Sequence, residues 1–175
     1  MAERANSTAI RLWKKFARGV SRSRKASNMP PRPPFFPQET DYSCAVACLR
    51  MVLAFYGIER TEEELRAACD CSWEGVQAFR LVEAARQFGL AGTRKYNLSF
   101  GELLAQLAAG KYPIVFVRTY LENSLLPTQH TFVVFAANHT SLAVLDPWQG
   151  ERELAAAQFE REWRQMRGLT ILCEK

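Results

Sequence analysis

The chain has 175 residues, enough for one domain with a hydrophobic core and too few for two sizeable domains. No apolar run approaches the roughly 18 residues that a membrane-spanning helix needs, so no such helix is expected. The five cysteines form an odd and irregular set, and the sequence shows no secretory segment, which predicts reduced thiols and a cytoplasmic location. Their spacing lacks the paired pattern of zinc sites, so neither a metal nor another cofactor is expected.

The net charge of +5 is concentrated in residues 1–29, which carry eight lysines and arginines and a single acid. In this tail Ile10, Trp13 and Val20 recur at helical spacing, opposite basic residues. Three interpretations stay open: a loosely ordered extension, which is favoured, a weak contact with an anionic membrane or a nucleic acid, or a targeting peptide. A nucleic-acid partner is not expected, because basic and aromatic residues do not interleave in the remaining chain. Residues 30–37 contain five prolines and predict a stiff linker.

The stretch from Gln38 to Gly57 joins a polar segment to an amphipathic helix that starts close to Cys44. Asp41 and Ser43 are both suitable N-cap residues, and Gly57 is a typical helix stop. Because a helix N-terminus favours the thiolate, Cys44 is a candidate nucleophile; the alternative is a small buried core residue. Gln38 is a candidate oxyanion donor beside the backbone N–H of Cys44, and the alternative is an exposed loop residue.

The segments after Gly57 predict an α+β chain in which helices come first and a largely antiparallel sheet follows. Thr61 and Glu64 match a capping box, and the run Glu62, Glu63 and Glu64 is interpreted as a solvated helix start. The predicted helices cover about 61–68, 72 or 74 to 89, 99–109 and 153–163. The predicted strands cover 93–98, 113–120, 131–137, 141–145 and 169–173, with a loop over 121–129.

A predicted hairpin over residues 131–145 offers a base for Cys44. Of the two histidines in the chain, His130 precedes the first strand and His139 lies in the turn. If the turn centres on Asn138, His130 lies opposite Asp146, within reach of a hydrogen bond that holds the imidazole in one tautomer. The alternative for His130 is a core histidine with satisfied hydrogen bonds.

Together, Gln38, the Cys44 helix, the His130 strand and the Asp146–Pro147 step resemble the papain-like cysteine peptidases that remove double-glycine leaders from bacteriocin precursors. The resemblance extends from about residue 38 to the C-terminus. It implies a papain-like fold, with an N-terminal helical half packed on a largely antiparallel sheet half, over residues 38–175. It also implies that Cys44 is the nucleophile and Gln38 the oxyanion donor. His130 would be the general base and acid, and Asp146 the residue that orients it.

Two positions depart from the pattern of that family. Ala45 stands where the family usually has glycine directly after the nucleophile, and Thr131 is inserted directly after His130. Trp73 and Gly75 lie where the resemblance implies the border of a substrate groove, although simple packing of Trp73 is favoured.

The resemblance implies cleavage of a peptide or precursor protein after small residues such as Gly-Gly, through an acyl-enzyme on Cys44. Many leader peptidases of this kind are fused to a membrane transporter, which this chain lacks, so a stand-alone peptidase with a separate transporter as partner is expected. Two alternatives stay open: a transpeptidase or amide-forming enzyme, and a peptide-binding module without turnover, for which Ala45 is the main support. The expected location is cytoplasmic, or peripheral to a membrane if the basic tail binds lipid.

Overall fold

The structure is a computed structural model that describes residues 32–120 and 125–175. The chain divides into two units, Met1–Pro30 and Pro31–Lys175, and all the described residues belong to the second. The predictions for the tail at 1–29, for the start of the linker and for residues 121–124 of the loop therefore lie outside the described residues. None of the described helices is long and apolar enough to cross a membrane.

The described part of the chain forms five helices. They are α1 at Cys44–Phe55, α2 at Glu62–Ala68, α3 at Ala78–Gln87, α4 at Phe100–Ala108 and α5 at Ala156–Arg164. The predicted capping box of Thr61 with Glu64 is confirmed at α2, and Ser99 with Glu102 forms a second one at α4. Gly57 follows α1 with a φ of +78°, a conformation that glycine adopts without a steric penalty.

Six strands form a single sheet among the described residues. They are β1 at Arg94–Asn97, β2 at Ile114–Thr119, β3 at Thr128–Ala137, β4 at Ser141–Asp146, β5 at Gly150–Ala155 and β6 at Leu169–Leu172. Their order across the sheet is β1-β6-β2-β3-β4-β5, and every neighbouring pair is antiparallel. The strands predicted at 93–98 and 113–120 are confirmed as β1, at one edge of the sheet, and β2, in its interior.

The sheet carries a hydrophobic core on each face, because successive side chains of its central strands point in opposite directions. Ile114 and Phe116 of β2 pack with side chains of α1, α2 and α3 on one face. Val115 and Val117 pack on the other face with α4 and α5, where Phe159 is fully buried. The predicted α+β arrangement, with an N-terminal helical half packed on an antiparallel sheet, is confirmed.

Two helix boundaries and one burial prediction were wrong. Helix α3 begins at Ala78, because Ser72 and Gly75 pair with each other in a turn instead of starting the helix. The helix predicted from 153 begins only at Ala156; the residues before it pair along the whole of β4 as strand β5, so tertiary pairing overrides their helix propensity. Glu62, predicted to be solvated, is fully buried.

Residues 32–37, the second part of the predicted linker, are extended and lie against the sheet domain. Arg32 pairs with Glu151 of β5 at 2.8 Å. Phe36 packs against the first core cluster, and the guanidinium of Arg50 lies 4.4 Å from its ring centroid. The backbone N–H of Gln38 then donates to the carbonyl oxygen of Pro147 at 3.0 Å, which fixes the entry to the segment that carries Cys44.

Candidate active site

Cys44 is the first residue of α1 and is partly exposed, whereas its neighbour Ser43, the N-cap residue, is fully buried. One turn further on, the thiol of Cys48 donates to the carbonyl oxygen of Thr131 at 3.4 Å, which joins α1 to β3. Thr131 directly follows His130, and β3 pairs with β2 without a bulge at this point, so the extra residue fits a regular strand. This contact brings the start of α1 close to the strand that carries His130.

His130 is 3% exposed and lines one cleft together with Cys44. Its Nε2 lies 2.8 Å from Oδ1 of Asp146, and the thiol of Cys44 is near enough to the ring to contribute to its raised pKa. Since Nε2 is engaged by Asp146, Nδ1 is the nitrogen available to the thiol. The structure therefore brings Cys44, His130 and Asp146 together in one series, in which His130 is hydrogen-bonded to Asp146 and lies beside Cys44.

Asp146 is held by the turn that follows β4. Its Oδ1 accepts hydrogen bonds from the backbone N–H groups of Trp148 at 2.9 Å and Gln149 at 3.3 Å, in addition to the contact with His130. Nε of Arg152, on β5, lies 3.6 Å from Oδ2. The Asp146 side chain is only 1% exposed, so solvent does not compete with these contacts for its orientation.

The surroundings move the pKa values of His130 and Asp146 apart. Burial disfavours the imidazolium, but the hydrogen bonds and charges of Asp146 and Cys44 outweigh it and raise the pKa of His130 to about 9. Burial also disfavours the carboxylate, but the hydrogen bond and charge of His130, the Trp148 N–H and the charge of Arg152 lower the pKa of Asp146 below its ordinary value. At neutral pH the pair favours imidazolium and carboxylate.

The turn of the β3–β4 hairpin is not centred on Asn138, as the sequence suggested. Asn138 begins the turn: its N–H donates to the carbonyl oxygen of Ser141 at 2.9 Å, and its side-chain oxygen accepts from the N–H groups of Thr140 and Ser141. The centre therefore lies about one residue later, at His139 and Thr140. The prediction that His139 lies exposed in this turn is confirmed.

Gln38 lines the same cleft as Cys44. Its Nε2 donates to the carbonyl oxygen of Thr40 at 2.7 Å, so the side chain folds back along the loop that leads to Cys44. An amide carries two N–H donors, and one can serve Thr40 while the other meets a substrate oxygen. The structure thus puts Gln38 at the cleft instead of in an exposed loop.

The cleft in front of these side chains has a volume of about 360 Å³. Its walls come from the loop 38–45, the turn 73–76, the start of β3 and Trp148. Trp73 is 80% exposed at the rim, so the favoured expectation that it simply packs was wrong. Ala45 contributes to the wall and is almost fully buried. It occupies a regular helical position, which alanine adopts without strain.

A family model described as the peptidase C39 family matches residues 32–175. The chain belongs to the peptidase C39 family. The resemblance to double-glycine leader peptidases, drawn from Gln38, the Cys44 helix, His130 and Asp146, is thereby confirmed at the level of the family.

This C39 chain is 27% identical over 135 residues to the pediocin PA-1 transport/processing ATP-binding protein PedD of Pediococcus acidilactici. That alignment covers 74% of this chain and 17% of PedD, so the chain spans less than a fifth of the length of this curated relative.

Two solved structures share the fold. The peptidase domain of Streptococcus ComA, a bifunctional ABC transporter involved in a quorum-sensing pathway, has 25% identity and a TM-score of 0.61, covering 81% of this chain and 98% of that domain. A double-glycine-motif protease from an AMS/PCAT transporter, in complex with the leader peptide, has 20% identity and a TM-score of 0.63. The match covers 85% of this chain and 96% of that protease. The papain-like fold predicted from the sequence is confirmed.

Three residues around the C39 site were missed by the sequence analysis. Trp148 could have been found, because an Asp followed by Pro-Trp-Gln-Gly is typical of a turn in which the Asp side chain accepts backbone N–H bonds. Arg152 reaches Asp146 from strand β5, and the sequence predicted no strand there. Glu62 stands in a run of three glutamates, and nothing in the sequence distinguishes the buried one.

The remaining cysteines are poor nucleophiles in this fold. Burial raises the pKa of Cys69 and of Cys173 to about 12, and it raises the pKa of Cys48 well above its ordinary value. The pKa of the partly exposed Cys71 is also raised, again mainly by burial. Among residues 32–120 and 125–175, no group of three or more His, Cys, Asp or Glu side chains converges as metal ligands would.

Proposed function

We propose that this C39 chain is a cysteine peptidase in which Cys44 is the nucleophile and His130 the general base and acid. Asp146 orients His130, and Gln38 donates to the oxyanion together with the Cys44 backbone N–H. The observation that carries the proposal is the series in which His130, hydrogen-bonded to Asp146, lies beside Cys44 at an open cleft. Membership of a peptidase family supports peptide hydrolysis as the reaction.

The reaction follows from the proton positions in this series. His130 holds the proton of the thiol as an imidazolium, and the Cys44 thiolate attacks the scissile carbonyl carbon. The carbonyl oxygen becomes an oxyanion held by the Cys44 N–H and by Nε2 of Gln38. The imidazolium then protonates the leaving amine, which leaves a thioester on Cys44. His130 next deprotonates a water molecule, which attacks the thioester and releases the carboxylic acid and the thiol.

We infer that the substrate is a peptide or precursor protein with small residues before the cut. Two tryptophans, Trp73 and Trp148, line the cleft beside Cys44, and large rings at the walls favour a narrow substrate backbone such as Gly-Gly. The transport/processing function in the name of PedD, and the leader peptide bound to the AMS/PCAT protease, support the same substrate class. A membrane transporter as partner is part of this proposal.

Cleavage of a leader peptide by the purified full chain tests the proposal. The substrates are a peptide with Gly-Gly before the cut and two matched peptides with valine at either glycine, analysed by mass spectrometry. We expect cleavage after the second glycine, and a loss of about 100-fold or more in kcat/KM for valine at that position, because a branched side chain clashes with a narrow cleft. Cys44→Ala must abolish turnover; cleavage that survives this change would refute the proposal.

The same experiment separates hydrolysis from amide formation. With an added amine nucleophile, we expect the free acid to remain the main product. An amide that exceeds the acid at millimolar amine would favour the transpeptidase alternative. The binding-module alternative rested on Ala45, whose methyl group fits the wall of the cleft within a regular helix. No contact of Ala45 therefore argues against turnover.

A further inference from the structure

Glu62 is fully buried in the first turn of α2, although its two neighbours in sequence are exposed. Burial of a carboxyl group costs stability unless its surroundings compensate. The helix itself does not require Glu62, because Thr61 and Glu64 already form the capping box at this end. Among the described residues Glu62 forms no ion pair, and its Oε2 accepts no hydrogen bond. Within the described part of the chain, the hydrogen bonds of this side chain are therefore all made by Oε1.

Oε1 of Glu62 binds both ends of the short turn between Gln38 and Cys44. It accepts a hydrogen bond from the hydroxyl of Ser43 at 2.6 Å and another from the backbone N–H of Glu39 at 2.9 Å. Ser43 directly precedes Cys44, and Glu39 directly follows Gln38. One buried oxygen atom thus ties the residue next to the proposed oxyanion donor to the residue next to the proposed nucleophile.

A second set of hydrogen bonds extends this link to the Gln38 amide. Oγ of Ser43 accepts from the N–H of Thr40 at 3.1 Å, and the N–H of Ser43 donates to the Thr40 carbonyl oxygen at 3.3 Å. That same carbonyl oxygen accepts from Nε2 of Gln38 at 2.7 Å. The connection runs from Glu62 through Ser43 and Thr40 to the side chain of Gln38.

Ser43 has an unusual role for an N-cap residue. An N-cap serine ordinarily accepts a hydrogen bond from the second or third N–H of its helix, but its hydroxyl makes no such bond to α1. The hydroxyl instead donates to Glu62, across a contact between two helices. The start of α1 is therefore held by a hydrogen bond to α2 as well as by its own first turn.

We propose that Glu62 is a positioning residue for the oxyanion hole, a role that rests on the proposed function. It keeps the Gln38 amide and the Cys44 N–H at the separation needed to bind one oxygen atom. Glu62 does not touch the substrate and acts through Ser43 and Thr40. Its loss therefore impairs the step that forms the oxyanion, while the Cys44–His130–Asp146 series, which it does not contact, stays intact.

Two rates on each full-length variant test this role, at the pH optimum of the wild type. One is kcat for the Gly-Gly peptide, which requires the oxyanion hole. The other is the rate of Cys44 alkylation by iodoacetamide, which requires the thiolate but forms no oxyanion. We expect Glu62→Leu to lower kcat about 10- to 100-fold, since removal of a whole oxyanion donor costs about 100- to 1,000-fold. KM and the alkylation rate should stay within about threefold.

Glu62→Gln separates the hydrogen bonds from the charge. Its side-chain oxygen can accept from both Ser43 and Glu39, so kcat should recover to within about fivefold of the wild type. Glu63→Gln is the matched control: it removes the same charge one residue away, on an exposed side chain, and should change neither rate. If Glu62→Leu fails to fold, Ser43→Ala breaks the same connection at its centre and should lower kcat with alkylation unchanged.

The outcomes distinguish this inference from the proposed function. A folded Glu62→Leu or Ser43→Ala protein with full kcat contradicts the positioning role alone. An equal fall in kcat and alkylation rate also contradicts it, because the nucleophile rather than the oxyanion hole is then impaired. A wild-type chain whose turnover does not depend on Cys44 contradicts the proposed function, and the positioning role fails with it.

Discussion

Nε2 of His130 lies 2.8 Å from Oδ1 of Asp146, although the hairpin register does not put the two residues directly opposite. Val133 pairs with Leu145, so Asp146 is displaced by two residues along the strand from the position opposite His130. Such diagonal neighbours lie on the same face of a sheet with Cβ atoms about 7–8 Å apart, a distance that an imidazole and a carboxylate can close. The contact therefore depends on a shared face more than on exact register.

Replacement of the two histidines tests which of them serves Cys44. His130→Ala should lower kcat/KM by about 1,000-fold or more, because one side chain supplies both general base and general acid. His139→Ala should leave the rate and the melting temperature unchanged, because His139 lies exposed in the turn at the far end of the hairpin. Steady-state kinetics with the Gly-Gly peptide and a thermal melt measure both effects.

His139→Ala is the matched control, since it removes the same side chain from the same hairpin. Inactivation by His139→Ala with a silent His130→Ala would overturn the site assignment. A loss of rate in His130→Ala that parallels a loss of folded protein would point to a structural role. The thermal melt therefore decides between a structural and a catalytic role for His130.

The sequence was sufficient for the parts of the site that depend on local pattern. The start of α1 near Cys44, the capping boxes and the two strands that bring His130 and Asp146 together all follow from spacing within about 20 residues. The alternation of a strand fixes which face a residue occupies, so the His130–Asp146 contact survived an error in the turn centre. The rules for helix starts, capping boxes and strand alternation were adequate here, because few other conformations of these segments satisfy them.

Features that depend on distant partners could not be predicted in this way. β5 forms because β4 offers it an edge, which overrides the helix predicted from residue 153 onward. Arg152 reaches Asp146 only through that pairing, and Glu62 is buried only because the loop before Cys44 packs over α2. In both cases a charged residue that looks solvated in the sequence acquires its partner from another part of the fold.

Selective alkylation tests whether Cys44 is the reactive thiol. At pH 7.5 we expect iodoacetamide to modify Cys44 first, because it is partly exposed and lies beside His130. Cys48, Cys69 and Cys173 are buried with raised pKa values and should react only on unfolding. Cys71 is the informative comparison, since it is partly exposed but its pKa is raised. Peptide mapping by mass spectrometry gives the order, and modification of Cys71 or Cys48 before Cys44 would contradict the assignment.

Two truncations test where the domain begins. Removal of residues 1–29 should leave the melting temperature within about 2 °C, because Arg32 and Phe36 keep their contacts with the domain. Removal of residues 1–37 deletes those contacts and should lower the melting temperature by about 3–6 °C. The reason is that the free energy of unfolding falls by about 1–2 kcal/mol in a domain of this size. Equal melting temperatures for the two truncated proteins would show that residues 30–37 add nothing to stability. A large loss with the shorter truncation would show that the tail stabilises the domain.

The raised pKa of His130 predicts an alkaline limit of activity. With a pKa of about 9, the imidazolium that protonates the leaving amine is lost as the pH rises through that value, so kcat/KM should fall near pH 9.

The raised pKa of His130 also contributes to the stability of the folded protein. The contribution of the imidazolium is fully present below about pH 6.5, the ordinary pKa, and is lost as the pH rises to about 9. Asp146→Asn removes the negative charge that stabilises the imidazolium. The difference in melting temperature between the wild type and Asp146→Asn should therefore shrink between pH 6 and pH 9.5.

The charges around Asp146 should move the alkaline limit in opposite directions. Asp146→Asn removes the negative charge beside His130 and should shift the limit to lower pH, with a loss of about 10- to 100-fold in rate, because a neutral amide still orients the ring. Arg152→Gln removes a positive charge 3.6 Å from that carboxylate and should shift the limit to higher pH. The shift should be about half a pH unit, because Arg152 is partly exposed and a solvent-screened ion pair contributes about 1 kcal/mol or less. Arg32→Gln is the control, because Arg32 pairs with Glu151, the neighbour of Arg152. This substitution should leave the alkaline limit unchanged.

The quantity measured is the pH dependence of kcat/KM, whose limit belongs to the coupled Cys44–His130 pair. Shifts of the same sign in Asp146→Asn and Arg152→Gln would show that Arg152 does not act through Asp146.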